Sequence, residues 1–126
     1  MIKKFIFPLT AVMALSLIVM AQSDKATLIG FIVDKACATG KVAKQADPQA
    51  AAANENRNCI LMTSCLQSGL GIYVDGAFYS FDEKGNSLAK AALEKSKKDK
   101  GAKFKVTGKV TADKKVAVTG IEEVTE

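Results

Sequence analysis

The three cysteines constrain this chain more than any other feature, because two of them share one short segment. They are Cys37, Cys59 and Cys65. Asn58 is a favourable helix N-cap and Gly69 a favourable helix end, so the pattern predicts one helix over residues 59–68. On a helix, the path from Cys59 to Cys65 rises by about 9 Å. A disulfide tolerates a Cα separation of at most about 7 Å, so we expect Cys37 to pair with Cys59 or Cys65.

The amino terminus has the parts of a secretory signal. Two lysines precede an apolar run at 5–20, and the compact residues at 19–21 fit a signal-peptidase site. The run is shorter than the about 20 residues of a membrane-spanning helix, so a retained anchor is the weaker alternative. We therefore expect a signal peptide at 1–21, cleavage before Gln22, and a periplasmic or secreted protein with no membrane partner after cleavage.

Length and charge limit what the remainder can be. Residues 22–126 are enough for a single small domain with one modest core. The full chain carries a formal net charge of +5, and two of its lysines belong to the predicted signal. The positive charge that remains is too small to indicate nucleic acid as a partner. Neither paired catalytic carboxylates, a nucleophile motif nor a phosphate loop is present. We expect a protein that is not an enzyme.

Five segments have the alternation or the β-branched composition of strands. They lie at 26–33, 70–74, 77–81, 103–111 and 116–121. Asp75 and Gly76 form a two-residue turn of type I′ between the second and third of these strands, which predicts a hairpin. A helix over 88–95 separates the third strand from the fourth. This order predicts a mainly β domain with short helices, built as a five-stranded OB-like barrel. The alternative is an open antiparallel meander with helices on one face.

The long connection between the first and second strands is polar. Residues 39–57 contain almost no large apolar side chain, so we expect a solvated excursion. Asp47 followed by Pro48 is a helix-start signal, which predicts a short helix over Pro48–Ala53.

Several short motifs stand in a recognisable order. They are Gly30-x-x-Val33-Asp34-x-x-Cys37, Cys59-x-x-Met62-x-x-Cys65 and Ser68-Gly69-x-Gly71. As a set they resemble a group of small exported bacterial proteins of uncharacterised function, over nearly all of residues 22–126. The resemblance implies export and a small β-barrel-like domain, and it implies no activity. Members often carry a histidine four residues before the middle cysteine. This chain has Glu55 there and no histidine at all, which argues against a Cys/His metal site.

The cysteines allow three classes of function. The preferred one is a non-enzymatic binding or structural module with a disulfide from Cys37 to Cys59 or Cys65 and no cofactor, as a monomer or as a dimer linked through the odd cysteine. The second is a soft-metal site in which Cys37, Cys59, Met62 and Cys65 bind copper, as Cu(I), or zinc. The third is a thiol redox protein. It is the weakest, because a Cys-x-x-Cys pair and a histidine that would lower a thiol pKa are both missing.

Overall fold

The computed structural model describes residues 25–125. Its strands and helices are β1 (Lys25–Asp34), α1 (Lys35–Cys37), a π-helical segment (Ala38–Val42), α2 (Pro48–Ala53), α3 (Arg57–Ile60), α4 (Thr63–Ser68), β2 (Leu70–Val74), β3 (Ala77–Phe81), α5 (Glu83–Lys95), β4 (Phe104–Val110) and β5 (Lys115–Glu123). The predicted signal peptide at 1–21 lies outside the described residues. Within 25–125, no helix is long and apolar enough to cross a membrane.

The five strands form a closed ring in the order β1-β2-β3-β5-β4, in which β4 pairs again with β1. Neighbouring strands are antiparallel except β3 and β5, which are parallel. The five predicted strands are therefore confirmed. The alternative of an open antiparallel meander is wrong, because every strand has two neighbours in the closed ring and because β3 and β5 pair in parallel. The described residues are also more helical than the sequence predicts, with about 37% of them in helices and 36% in strands.

The hairpin between β2 and β3 agrees with its sequence pattern in bounds and register. Asp75 has a φ of 48° and Gly76 a φ of 81°, the positive angles that a type I′ turn requires. Across the hairpin Ile72 faces Tyr79, and Tyr73 faces Phe78. Because the turn residues specify this geometry locally, the hairpin needs no distant contact to set its register.

The connection between β1 and β2 is not a solvated excursion, which corrects the expectation for residues 39–57. Val42 is fully buried and Ala52 is 3% exposed, so this segment adds to the core. The predicted helix Pro48–Ala53 is present and is capped by Asp47. Its Gln49 side chain donates to the Tyr73 carbonyl and accepts from the Gly76 amide. Two side-chain hydrogen bonds thus fasten α2 to the hairpin, which explains how a polar segment stays packed.

The single helix predicted over 59–68 is wrong, since the chain bends between α3 and α4. Leu61 ends α3, and Met62 has extended backbone angles with a ψ of 144°. The two halves are anchored to different elements, which a straight helix would not allow. The Arg57 amide and guanidinium of α3 bind the segment near Asp99, whereas the end of α4 packs against α1. The rise that separated Cys59 from Cys65 on one helix therefore does not apply.

Helix α5 begins earlier than its apolar pattern indicates. Asp82 caps it by accepting from the Gly85 amide, and the same carboxylate oxygen accepts from the Val118 amide of β5. The helix connects β3 to β4 and buries Ala89 and Leu93. It thereby closes one side of the core.

Candidate metal centre

The last residue of β1 is a buried carboxylate. Asp34 is 0% exposed and stands opposite Leu70 of β2 in the sheet register. Its Oδ2 atom accepts a hydrogen bond of 3.0 Å from the Cys37 amide, so the side chain is the N-cap of α1. Its Oδ1 atom has no hydrogen-bond partner among the described residues, although it is buried. A buried acceptor without a partner is costly, and a cation or a bound water at this point would satisfy it.

Two cysteine sulfurs lie beside this carboxylate. An oxygen of Asp34, the Sγ atom of Cys37 and the Sγ atom of Cys65 are all within 4.8 Å of one another. Cys37 ends α1 and Cys65 lies in α4, and both are partly buried. Side chains from three elements thus converge on one point at the end of β1.

Cys65 lies next to Cys37 because hydrogen bonds join the end of α4 to the first turn of α1. The first amides of a helix have no partner within it. The Lys35 amide donates to the Gly69 carbonyl at 2.8 Å, and the Ala36 amide donates to the Ser68 hydroxyl at 3.2 Å. These bonds hold Cys65, one turn before Ser68, next to Cys37.

The electrostatics of the centre favour the protonated form of Cys37. Burial, the hydrogen bond to the Asp34 carboxylate and the negative charge of that carboxylate together raise the pKa of the Cys37 thiol to about 12, with smaller contributions from the negative charges of Glu55 and Cys65. A thiol in this environment is a poor nucleophile, which argues against a thiol redox enzyme.

An ion pair between a buried carboxylate and an exposed lysine lies near the same thiol. Glu55, which is 8% exposed, accepts from Lys41 with an N–O distance of 3.0 Å. The carboxylate raises the pKa of Lys41 above its usual range, and the charges of Cys37 and Cys59 add to that effect. Glu55 occupies the position where the resembling proteins carry histidine, and in this structure its described partner is a lysine.

The structure brings together two of the four residues predicted as metal ligands. Cys37 and Cys65 belong to the group, whereas Cys59 is exposed and lies outside it. Met62 is 55% exposed on the bend between α3 and α4. All three cysteines are free in this structure, so the predicted disulfide stays a prediction.

Asp34 is the site residue that sequence reasoning missed. A signal for its local role was present, since an aspartate that directly precedes a helical turn is a favoured N-cap. The resulting donor set holds two sulfurs and one oxygen. Zinc accepts thiolate and carboxylate ligands together, whereas Cu(I) prefers sulfur alone.

Comparison of the chain with protein-family models, with curated proteins and with solved structures finds no match. The function therefore has to be argued from the side chains at this centre.

Proposed function

We propose that the protein is a small, non-enzymatic, exported module that binds zinc through Asp34, Cys37 and Cys65. One observation carries the proposal: the buried, unpartnered Oδ1 of Asp34 belongs to a carboxylate that lies within 4.8 Å of both cysteine sulfurs. A divalent cation there would bind two thiolates and give the carboxylate its missing partner. Metal binding would release the thiol protons, because thiolates are the ligands.

The scaffold of this module is proposed to be an OB-like barrel. The ring order β1-β2-β3-β5-β4, the parallel pair of β3 and β5, and the position of α5 between β3 and β4 support that assignment. The connection between β1 and β2, which carries all three cysteines, is then an elaborated loop at one end of the barrel. The proposed centre lies where this loop leaves β1.

The export of the protein is proposed from the sequence. The lysines and apolar run at 1–21 are the basis, together with the resemblance to small exported bacterial proteins. A periplasmic or extracellular compartment favours disulfides over free thiols. The zinc-bound state and the disulfide-bonded state of the cysteines therefore compete, and the disulfide-bonded state needs its own test.

The second candidate function is a structural module with a disulfide between Cys37 and Cys65. The same proximity of their sulfurs favours this pair over Cys37 with the exposed Cys59. Such a crosslink would stabilise the domain by about 3 to 4 kcal/mol, mainly by restricting the unfolded chain. It would leave Asp34 Oδ1 without a partner, which is why we rank it second.

The test is a zinc titration of the reduced protein, residues 22–126, with a chromophoric chelator as competitor. We expect one zinc per chain in the parent and in the matched control Cys59→Ser, and loss of binding in Cys37→Ser and Cys65→Ser. Asp34→Asn keeps an oxygen for the helix cap and should bind zinc at least about tenfold more weakly. Failure of the parent to bind, or loss of binding in Cys59→Ser alone, would overturn the proposal.

Chelator and reductant separate the two candidates. For the zinc protein, a strong chelator should lower the unfolding midpoint and a reductant should leave it unchanged. In a disulfide module, a reductant should lower the unfolding midpoint and a chelator should leave it unchanged. Its mass after alkylation without reductant would show one alkylated thiol instead of three.

A further inference from the structure

Every amide in the first turn of α1 has a partner outside the helix. The Lys35 amide donates to the Gly69 carbonyl at 2.8 Å. The Ala36 amide donates to Ser68 Oγ at 3.2 Å. The Cys37 amide donates to Asp34 Oδ2 at 3.0 Å. The side chain of Ser68 is therefore one of three acceptors that fix this turn, and the only one of them supplied by a side chain of α4.

The same hydroxyl also binds the backbone of the second cysteine. Ser68 Oγ donates to the Cys65 carbonyl at 2.7 Å. One oxygen atom thus stands between the amide that precedes Cys37 and the carbonyl of Cys65. The hydroxyl therefore donates to the turn that carries Cys65 and accepts from the turn that carries Cys37, so it joins the two segments.

We propose that Ser68 is a positioning residue that sets the separation of Cys37 and Cys65, and with it the metal affinity of the proposed centre. This inference rests on the proposed function. Helices α1 and α4 contain three and six residues, which is too short for either to be rigid by itself. Metal–ligand distances tolerate deviations of only about 0.2 Å. A bridge that joins these two short turns therefore has a direct effect on how well both sulfurs reach one ion.

Ser68 acts through the backbone and is not itself a ligand. Its oxygen is already engaged with Ala36 and Cys65, so a metal bond would require both hydrogen bonds to break. Residues that orient metal ligands typically change affinity by about ten- to a hundredfold when removed. The expected size of the effect is in that range.

The experiment compares Ser68→Ala with Ser64→Ala, an exposed serine of the same helix, both in the Cys59→Ser background. Zinc affinity is measured by competition, and the ligand geometry by the absorption spectrum of the cobalt-loaded protein. We expect Ser68→Ala to bind zinc at least about tenfold more weakly, with an altered cobalt spectrum, while Ser64→Ala matches the parent. Ser68→Thr, which restores the hydroxyl, should recover most of the affinity and the parent spectrum.

A second variant breaks the same bridge from the other side. Ala36→Pro removes the donor amide while leaving the Ser68 hydroxyl, and proline is tolerated in the first turn of a helix. It should weaken zinc binding as Ser68→Ala does, and combining the two changes should add little. This variant keeps the inference testable if Ser68→Ala does not fold.

Failure of the inference is distinguishable from failure of the zinc proposal. The equilibrium between Cys37–Cys65 disulfide and glutathione reports the effective concentration of the two thiols without any metal. Ser68→Ala should lower that effective concentration by about tenfold. If the parent binds no zinc but this shift appears, Ser68 positions the cysteines and the zinc proposal falls. Unchanged zinc affinity, cobalt spectrum and thiol equilibrium in Ser68→Ala would overturn the inference.

Discussion

The β2–β3 hairpin and the cysteine segment at 57–68 are next to each other in sequence but acquire their structures in different ways. The hairpin is specified by its own turn, because Asp75 and Gly76 adopt the positive φ angles that join two strands tightly. The cysteine segment contains neither glycine nor proline, yet it bends at Met62. Its two halves are held by contacts that are distant in sequence. Arg57 binds Asp99, and Ser68 binds the first turn of α1.

This difference explains why the candidate metal centre was harder to predict than the strands. Local propensity decides a structure when nothing distant opposes it. In the cysteine segment, tertiary hydrogen bonds override a continuous helix, and that change decides which cysteine faces Asp34. The centre therefore depends on contacts that no short stretch of sequence contains.

The largest expected effect is in the hairpin. A Cβ atom at Gly71 would collide with the carbonyl oxygen of Tyr79 and with the ring of Phe78 on the paired strand. Because the carbonyl belongs to the sheet backbone, it cannot move without disturbing β3. We expect Gly71→Ala to lower the free energy of unfolding by roughly 3 kcal/mol, measured by urea denaturation.

The matched control is Gly40→Ala, in the π-helical segment. No atom lies within 4 Å of a Cβ built there, and its φ is not positive. This variant should leave stability unchanged or raise it slightly, since alanine restricts the unfolded chain. Equal losses for the two variants would show that the tight approach of β2 and β3 is misdescribed.

The next largest effect is a difference between Cys37 and Cys59 in the rate of alkylation. In the reduced, metal-free protein, Cys59 is exposed, whereas Cys37 is partly buried with a pKa raised to about 12 by that burial and by Asp34. We expect iodoacetamide to modify Cys37 at least about tenfold more slowly than Cys59 at pH 8, because the thiolate is the reacting form. Peptide mapping over time measures both rates, and faster modification of Cys37 would contradict the packing of α1.

The smallest effect tests the bend in the cysteine segment. Thr63 is the first residue of α4 and follows the extended Met62, a position that proline accepts. We expect Thr63→Pro to change the free energy of unfolding by less than about 1 kcal/mol. In one continuous helix over 59–68 the same change would cost about 3 kcal/mol.

Leu66→Pro is the control for that variant. The Leu66 amide donates to the Met62 carbonyl inside α4, so proline there should cost about 3 kcal/mol in either arrangement. If Thr63→Pro lowers the free energy of unfolding as much as Leu66→Pro does, the segment is one continuous helix and the bend at Met62 is wrong.

Most of the strand framework could be predicted from the sequence because its signals are local. The alternation of β4 and the type I′ turn specify strands and one hairpin, and Asp47 with Pro48 specifies α2 to the residue. The buried contribution of the 39–57 segment could not be predicted. It depends on Val42, the one large apolar side chain of this stretch, and on Gln49, which binds the hairpin across a long sequence separation.

The candidate centre could be predicted only in part. Cys37 was expected to meet Cys59 or Cys65, because the chain contains only three cysteines, and the sequence did not choose between the two. Asp34 was missed because its role depends on burial at the end of β1, and Cys59 and Met62 were included because a continuous helix would have aligned them with Cys65. The bend at Met62 removes that alignment.

The measurement that tests the central claim most directly is X-ray absorption spectroscopy at the zinc edge, on the reduced protein loaded with one zinc per chain. We expect two sulfur ligands at about 2.3 Å and at least one oxygen ligand at about 2.0 Å. The spectrum should be unchanged in Cys59→Ser. A first shell with three sulfurs, or a spectrum that changes in Cys59→Ser, would contradict a centre made of Asp34, Cys37 and Cys65.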